Sequence, residues 1–557
     1  MTSLKTLLLK ERYIFILLIF FCTLITWPVF LPGYFFHHDD LQAMRVLEMR
    51  KCFDDLQIPC RWVPDMGYGN GFPLYNYYSA LPYYIGGLLT YFLSFIDASK
   101  ALFFIPLVLG GFAMYFLGKE LYGKLGGFVA GTLYLFAPYR ALDAYVRGAV
   151  AESFALAIIP FVFLFSLRLI KEKTTFNLVG FVISLGAFLL CHNIMTLFFM
   201  PMVFVWMLLL LLKYGKKSLK QIIIGTVLGI SLSAFFVFPA YLEKGLVQSE
   251  TLTSGGSDFR THFVSVGQIF WERSWGYGGS VFGPNDTISF QIGLPHMFIF
   301  VISVILVFFT LIRKKKLDYI TLFLIFCFLL AAFMMHNKST FIWKSIDALR
   351  FAQFPWRFLS ISIFTVSLLG GYVISAFPKR IMVVLCAITI ALAVSLNWQY
   401  FQPRDFYPWV NDAHKFSDPL WEIQQKAGIM DYLPVTAYEP FARASENPEI
   451  LKGKAEVVDF NKKSNSFSAE INVSEKTSIE IPVFDFPNWI VFVNLQKVDH
   501  YREGIGRIAF DLEPGNYQIY GKLYDTNIRI ISNWLSLISI FLIVLIIVNK
   551  RIQKNIL

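Results

Sequence analysis

The sequence predicts a polytopic α-helical membrane protein of about twelve spans, with an antiparallel β-sandwich held outside the bilayer before the last span. Three observations predict it. Hydrophobic residues make up 56% of the chain and charged residues only 16%, far from the balance of soluble domains. Apolar runs of the roughly 20 residues needed to cross a hydrocarbon core recur along the chain. Between 400 and 528 the pattern changes to the period-two alternation of strands.

The expected spans are 13–32, 101–118, 125–141, 154–170, 175–191, 194–212, 221–240, 290–312, 318–335, 358–378, 381–399 and 531–549. The first has basic flanks and no small-residue cleavage site, so it reads as a retained anchor. Basic residues cluster between spans, at Lys5/Lys10/Arg12, Lys119/Lys124, Arg168/Lys171/Lys173 and Lys213/Lys216/Lys217/Lys220. Three further clusters are Arg313/Lys314/Lys315/Lys316, Lys379/Arg380 and Lys550/Arg551/Lys554. Short cytoplasmic loops hold the excess of Lys and Arg. All seven clusters share one side only if the apolar segment 79–97 does not cross. That segment, with Pro82 and the Gly86-Gly87 pair, is therefore placed in the outer leaflet, and both termini are cytoplasmic.

With this topology the outer face receives 33–100, 140–153, 241–289 and 336–357. Three units follow: a transmembrane region 1–399 with a large first outer loop 33–100, a β-rich domain 400–528, and a last helix with a basic tail, 529–557. The strand runs are SFSAEINV, TSIEIPVF, WIVFVNLQ, GRIAFDLE and NYQIYGKLY, separated by turn residues such as Pro514-Gly515-Asn516.

The net charge of +11 does not mark a nucleic-acid face. The seven clusters hold 21 of the 49 basic residues, and the rest of the chain carries 28 basic against 35 acidic residues. The charge is topology. Cys22, Cys191, Cys327 and Cys386 read as apolar fillers, whereas Cys52 and Cys60 share the first outer loop, which leaves a disulfide and two free thiols both open. No Gly-rich phosphate loop is present and the cytoplasmic loops are short, so the chemistry is expected outside.

The first loop opens with His37, His38, Asp39 and Asp40. Ionisable groups at the edge of an apolar region are costly and are usually kept for a task. Neighbouring carboxylates there suit a general base, or the binding of a divalent ion, Mg or Mn, with Asp40 and Glu152 as ligands. Either aspartate could instead cap the helix expected over 41–55. The same loop carries Arg61, Trp62, Asp65, Tyr75 and the glycines Gly67, Gly69 and Gly71, a composition that suits a loop folded over a site. The second loop adds Arg140, Asp143, Arg147 and Glu152, where an arginine could neutralise a phosphate; a structural ion pair is the plainer alternative. His192 and Asn193 rank below these. Arg350 and Arg357, among interfacial aromatics, are candidates for a lipid-phosphate pocket.

The motifs HDDLQAMR, IPCRWVPDMGYGNGFPLYNYYSALPYY and YVRGAVAES together resemble the GT-C superfamily of integral-membrane glycosyltransferases. The chain is most similar to the bacterial membrane family labelled 6-pyruvoyl-tetrahydropterin synthase-related, with YfhO-like proteins as cousins, over nearly its whole length. The pterin label is misleading, because the soluble pterin enzyme uses a zinc-binding histidine triad that this sequence does not supply. The resemblance implies a GT-C-like fold in a bacterial-type cytoplasmic membrane, with a catalytic first-loop acid, Asp39 or Asp40, and Glu152 as the second acid. The second loop departs from that pattern in having no D-x-D or D-x-E. The expected activity is sugar transfer from a polyprenyl-phosphate carrier to an extracytoplasmic glycan, lipid or protein. Asp39 or Asp40 is the base, and His38, Arg61, Trp62, Asp65, Tyr75, Arg147, Glu152, Arg350 and Arg357 bind substrate. Two other classes stand beside it: a lipid-linked glycan transporter or flippase, and a non-catalytic assembly partner.

Overall fold

The computed structural model describes residues 4–283, 285–314 and 318–549. Lys315, Lys316, Lys550, Arg551 and Lys554 of the expected basic clusters lie outside them. Eight helices among the described residues are long and apolar enough to cross a membrane, or up to ten if two bent pairs each count as one span. Twelve were expected, and the difference has identifiable causes. The expected spans 101–118 and 125–141 belong to one helical element, Phe95–Leu135, which folds back at Gly123, where φ is +78°. A methyl group added at Gly111 would lie 2.6 Å from Leu135, and one at Gly118 would lie 2.8 Å from Ala130. Only two antiparallel arms bring those residues together. Thr175–Cys191 has 17 residues, about 26 Å of helix.

The expected spans 221–240 and 318–335 each adjoin a sharp bend. The first breaks at Ser233, with 71° between its halves, and the second turns by 91° beyond Met335. A break exposes backbone groups that need partners in an apolar setting. Ser536 of the last helix, Asn527–Val548, supplies them, accepting from Phe235 N–H at 2.9 Å and donating to the Ser231 carbonyl at 3.0 Å. The segment 79–97 contains only the nine-residue helix Leu81–Leu89 before the next one starts at Phe95. Nine residues give about 14 Å, less than half of a hydrocarbon core.

Among the described residues, the basic side chains around Glu11 and Glu120 meet at one end of the bundle. Glu11 meets Lys119 at 2.6 Å and Lys124 at 3.5 Å, while Glu120 meets Arg168 and Lys171. Helix Val150–Lys171 has this end at its C-terminus and Glu152 in its first turn; the rise from Glu152 to Lys171 separates the two by about 29 Å. Packed apolar side chains fill the bundle between the two ends.

The C-terminal domain is one antiparallel sheet rather than two separate ones. Its strands are β1 Glu449–Lys462, β2 Ser466–Phe484, β3 Trp489–Val493, β4 Gln496–Val498, β5 Tyr501–Glu503, β6 Arg507–Leu512 and β7 Gly515–Leu523. Their order is β4-β3-β7-β2-β6-β5, with β1 paired on β2. The two runs SFSAEINV and TSIEIPVF are a single 19-residue strand. Its first half pairs with β7 and its second with β6. Irregularities in β1 between Ile450 and Ala455 let the ribbon bend, so that Phe467, Ile471, Ile479 and Ile481 share one buried core with Ile508 and Ile519. Residues 400–448, expected to begin this domain, contain no strand and instead form short helices, including Asp412–Lys415 and Ile429–Tyr432.

The first loop is the hub of the end of the bundle opposite Glu11 and Glu120. A disulfide joins Cys52 and Cys60. Trp62 packs at 5.8 Å from Phe486 and 5.7 Å from Trp489 of the β domain. Arg61 donates to Asp525 at 3.1 Å, to Asn76 at 2.9 Å and to Asn533 of the last helix at 2.8 Å.

Candidate functional site

A cavity of about 1080 Å³ lies at the end of the bundle opposite Glu11 and Glu120, where the loops 33–100, 140–153, 241–289 and 336–357 meet. Its geometry begins with two backbone hydrogen bonds between the first and second loops. His38 N–H donates to the Val146 carbonyl at 3.0 Å and Asp39 N–H to the Arg147 carbonyl at 2.9 Å. Gly148 makes this approach feasible. Its φ is +68°, and a methyl group there would lie 2.0 Å from His37 Nδ1, so glycine answers both the left-handed backbone and the close contact. Just before it, Leu142–Arg147 is a π-helical turn, an irregularity frequent at functional sites.

The two adjacent aspartates have different surroundings. Asp39 lines the cavity and is held bidentately by Arg45, at 2.7 and 3.0 Å. The surrounding protein disfavours its charge, but the Arg45 guanidinium wins and holds the Asp39 carboxyl below the usual carboxylate range. Asp40 does not line the cavity. It accepts from Lys415 at 2.6 Å and Tyr34 at 3.0 Å, tying the first loop to the segment after the eleventh expected span. Neither aspartate caps the following helix, Gln42–Asp54, whose N-cap is Leu41 without a side-chain bond. His37 beside them is pushed down to about 4 by burial, against the pull of Asp40 and Asp39, and is neutral at neutral pH.

The second loop brings a buried charge cluster to the cavity wall. Arg147 donates to Asp143 and, at 3.0 Å, to Glu152. Tyr139 donates to Glu152 at 2.5 Å, and Arg357 Nε lies 3.6 Å from the same carboxylate. Arg147 also stands over the Trp356 ring at 4.7 Å. Burial and the neighbouring Glu152 charge push Asp143 well above the usual carboxylate range. Arg147 and Arg357 thus both face the Glu152 carboxylate. Arg147 and Arg357 line the cavity; so do Lys244 and the neutral His192, which burial pushes down to about 3.

Of the residues singled out in sequence, His38, Asp39, Arg147, Glu152 and Arg357 line this cavity. Asp40, Arg61, Trp62, Asp65, Tyr75 and Arg350 do not, and their partners explain why. Arg61 and Trp62 fasten the first loop to the β domain and last helix. Asp65 pairs with Lys51. Tyr75 is buried and donates to the Arg45 carbonyl at 2.5 Å. Arg350 is half-exposed and pairs with Asp347 at 3.3 Å.

Asp40 and Glu152, the acids of the expected Mg or Mn site, each stand beside a basic side chain. Both are committed to cations, Asp40 to Lys415 and Glu152 to Arg147. No group of three or more His, Cys, Asp or Glu side chains suited to a metal converges among the described residues.

Sequence reasoning missed Arg45, Tyr77, Tyr78, His262 and Asp431, all of which line the cavity. Arg45 had a local signal, standing six residues after Asp39 on a helix that begins beside it. Asp431 had none, since it sits in a stretch with neither helix nor strand periodicity.

Fold and site together define a polytopic membrane protein with a large charged cavity at one end of its helix bundle. Residues 75–403, more than half of the chain, match the family described as the 6-pyruvoyl-tetrahydropterin synthase related domain, a membrane protein family. The chain belongs to this family. A relative in Lactococcus lactis subsp. cremoris (strain MG1363), itself an uncharacterized protein, is 25% identical over 351 residues, covering 60% of this chain and 55% of the relative. This chain therefore spans about half the length of that curated relative. Among solved structures, the arabinofuranosyltransferase AftD from Mycobacteria is similar with a TM-score of 0.47 and 12% identity, over 72% of this chain and 28% of AftD. The oligosaccharyltransferase of Archaeoglobus fulgidus is similar with a TM-score of 0.40 and 13% identity, over 71% of this chain and 56% of that one.

Proposed function

We propose that the protein is a membrane glycosyltransferase that moves a sugar from a polyprenyl-phosphate carrier to a glycan, lipid or protein acceptor. In this reading the cavity and β domain face the outside of a bacterial-type cytoplasmic membrane, and both termini face the cytoplasm. The observation that carries it is the convergence of Arg147, Arg357 and Asp39 on one cavity at the outer ends of the spans. The acceptor oxygen attacks the anomeric carbon, the bond from that carbon to the phosphate oxygen breaks, and its electron pair leaves with the phosphate. Arg147 and Arg357, a buried pair of guanidinium groups on the cavity wall, stabilise the departing anion, where fixed donors are worth far more than in water. Asp39, kept ionised by Arg45, faces the positive charge that develops on the sugar ring. Asp40 is left to hold the loop through Lys415. The apolar packing between the cavity and the basic end supports a one-sided enzyme over a transporter, which would need a polar path through the bilayer.

The test uses the purified full chain in nanodiscs. Polyprenyl monophosphate, the expected leaving group, should quench Trp356 fluorescence, and tritiated sugar should pass from polyprenyl-phosphoryl hexoses or pentoses into the glycan, lipid or protein fraction of added membranes. Arg147→Gln and Arg357→Gln should each weaken lipid-phosphate binding by at least tenfold. Binding indifferent to both substitutions, with no label transfer by the wild type, refutes the reading.

A further inference from the structure

The geometry points to Asp431 as the residue that accepts the acceptor's proton, a role resting on the transfer reading above. Asp431 lies in the short helix Ile429–Tyr432, between the bundle and the β domain, and lines the same cavity as Asp39 and Arg147. Its neighbours in sequence fix it from both sides. The Met430 carbonyl accepts from Thr251 at 3.0 Å, the Tyr432 ring stacks on Tyr77 with centroids 6.1 Å apart, and Ile429 is buried in the core of the β domain. Yet the Asp431 carboxylate itself has no hydrogen bond or ion pair among the described residues, unlike Asp39, Asp40, Asp143 and Glu152, each of which is paired with a cation. A carboxylate held by its backbone, facing a cavity, with its oxygens uncommitted, is arranged to take a proton from a bound hydroxyl.

The electrostatic surroundings agree with that arrangement. Burial raises Asp431 to about 6, Arg45 from the first loop pulls it down and Asp39 pushes it up. Glu250, the charged residue of the turn Ser249–Thr253 packed on the same helix, points to solvent. Two carboxylates in one cavity whose proton affinities are driven apart divide the work between them. Asp39, below the usual range, stays ionised and is a weak base; Asp431 is ionised at neutral pH and accepts a proton readily. The step balances: the acceptor oxygen bonds to the anomeric carbon, its proton passes to Asp431, and the phosphate leaves with the electrons of the broken bond. Asp431 returns the proton to solvent on product release.

The test follows tritium transfer by the full chain in proteoliposomes from polyprenyl-phosphoryl hexoses and pentoses between pH 4.5 and 8, alongside binding of polyprenyl-phosphoryl-mannose, whose single charge is fixed over that range. The wild-type rate should fall tenfold per unit below about pH 6. Asp431→Asn should lose about 10²–10⁴-fold in rate while binding the phosphodiester within about twofold of wild type, and Asp431→Glu should restore transfer with the acid limb displaced. An acid limb that survives in Asp431→Asn and vanishes in Asp39→Asn overturns the assignment and leaves the transfer reading intact. Loss of phosphodiester binding together with transfer in Asp431→Asn overturns it as well, since the residue would then be structural. No transfer by the wild type from any donor overturns the transfer reading, and this assignment with it.

Discussion

Replacing Gly148 with alanine tests the junction on which the whole cavity depends. The new methyl group would lie 2.0 Å from His37 Nδ1 and 2.5 Å from Cγ, in a backbone with φ of +68°. The His37 ring cannot retreat. Its side chain is fully buried, it sits 5.2 Å from Phe103, and Nε2 lies 3.3 Å from the Tyr34 hydroxyl. Two costs therefore add: about 1–2 kcal/mol for a non-glycine residue in the left-handed region and about 1–3 kcal/mol for overpacking a rigid site. Gly428→Ala separates them, because φ there is +67° but the nearest side-chain atoms are at 3.5 and 4.0 Å, ordinary contact. That variant should lose only the backbone part. Denaturant titration of both variants in nanodiscs, followed by tryptophan fluorescence, gives the comparison. Gly148→Ala should be less stable than Gly428→Ala by about 1–3 kcal/mol. It should also bind polyprenyl phosphate more weakly, since the Gly148 carbonyl accepts from Gln42 at 2.9 Å beside Asp39. Equal losses in the two variants would refute the claim that the His37–Gly148 contact sets the join between the loops.

Three further outcomes are expected. Asp40→Asn should keep transfer within a few-fold of wild type whereas Asp39→Asn, which removes a charge facing the developing cation, should reduce it by about 10²-fold, measured as tritium transfer in proteoliposomes; the reverse order would return Asp40 to the site. Arg350→Gln should leave lipid-phosphate binding unchanged while Arg357→Gln weakens it, because Arg350 is half-exposed on Asp347 and Arg357 lines the cavity; quenching titrations distinguish them. His37 binds its proton less tightly when folded, at about 4, than the ordinary value near 6.5. Stability is therefore complete above about pH 6.5 and falls as the pH drops toward 4, by about 3 kcal/mol in all. In His37→Phe this part of the acid sensitivity should disappear from denaturation midpoints measured between pH 7 and 4, and an unchanged pH slope would count against a buried neutral His37.

Apolar run length and strand alternation are local properties, and they carried the membrane class and the presence of a β-rich domain before the last helix. The alternation of GRIAFDLE or NYQIYGKLY marks a strand because burial of every second residue is written along the chain. Local too was the concentration of chemistry in HHDD and YVRGAVAES, whose ionisable groups stand where an apolar segment ends. What the sequence could not assign was partnership. Asp39 and Asp40 are neighbours of one residue type, and only the fold gives Arg45 to one and Lys415 to the other. Arg61 and Trp62 looked like binding groups because an arginine beside a tryptophan suits many ligands; their ligands proved to be Asp525, Asn533 and Trp489 of the same chain. The breaks at Ser233 and beyond Met335 depend on groups far away in sequence, such as Ser536. Asp431 became visible only when 428–432 folded beside the first loop. The sequence by itself determined which segments are apolar, which alternate and where charge is concentrated, because hydration acts on each residue where it stands. The tertiary structure decided which charge meets which, because a carboxylate's proton affinity and use depend on the cations and burial around it, and these come from segments hundreds of residues apart.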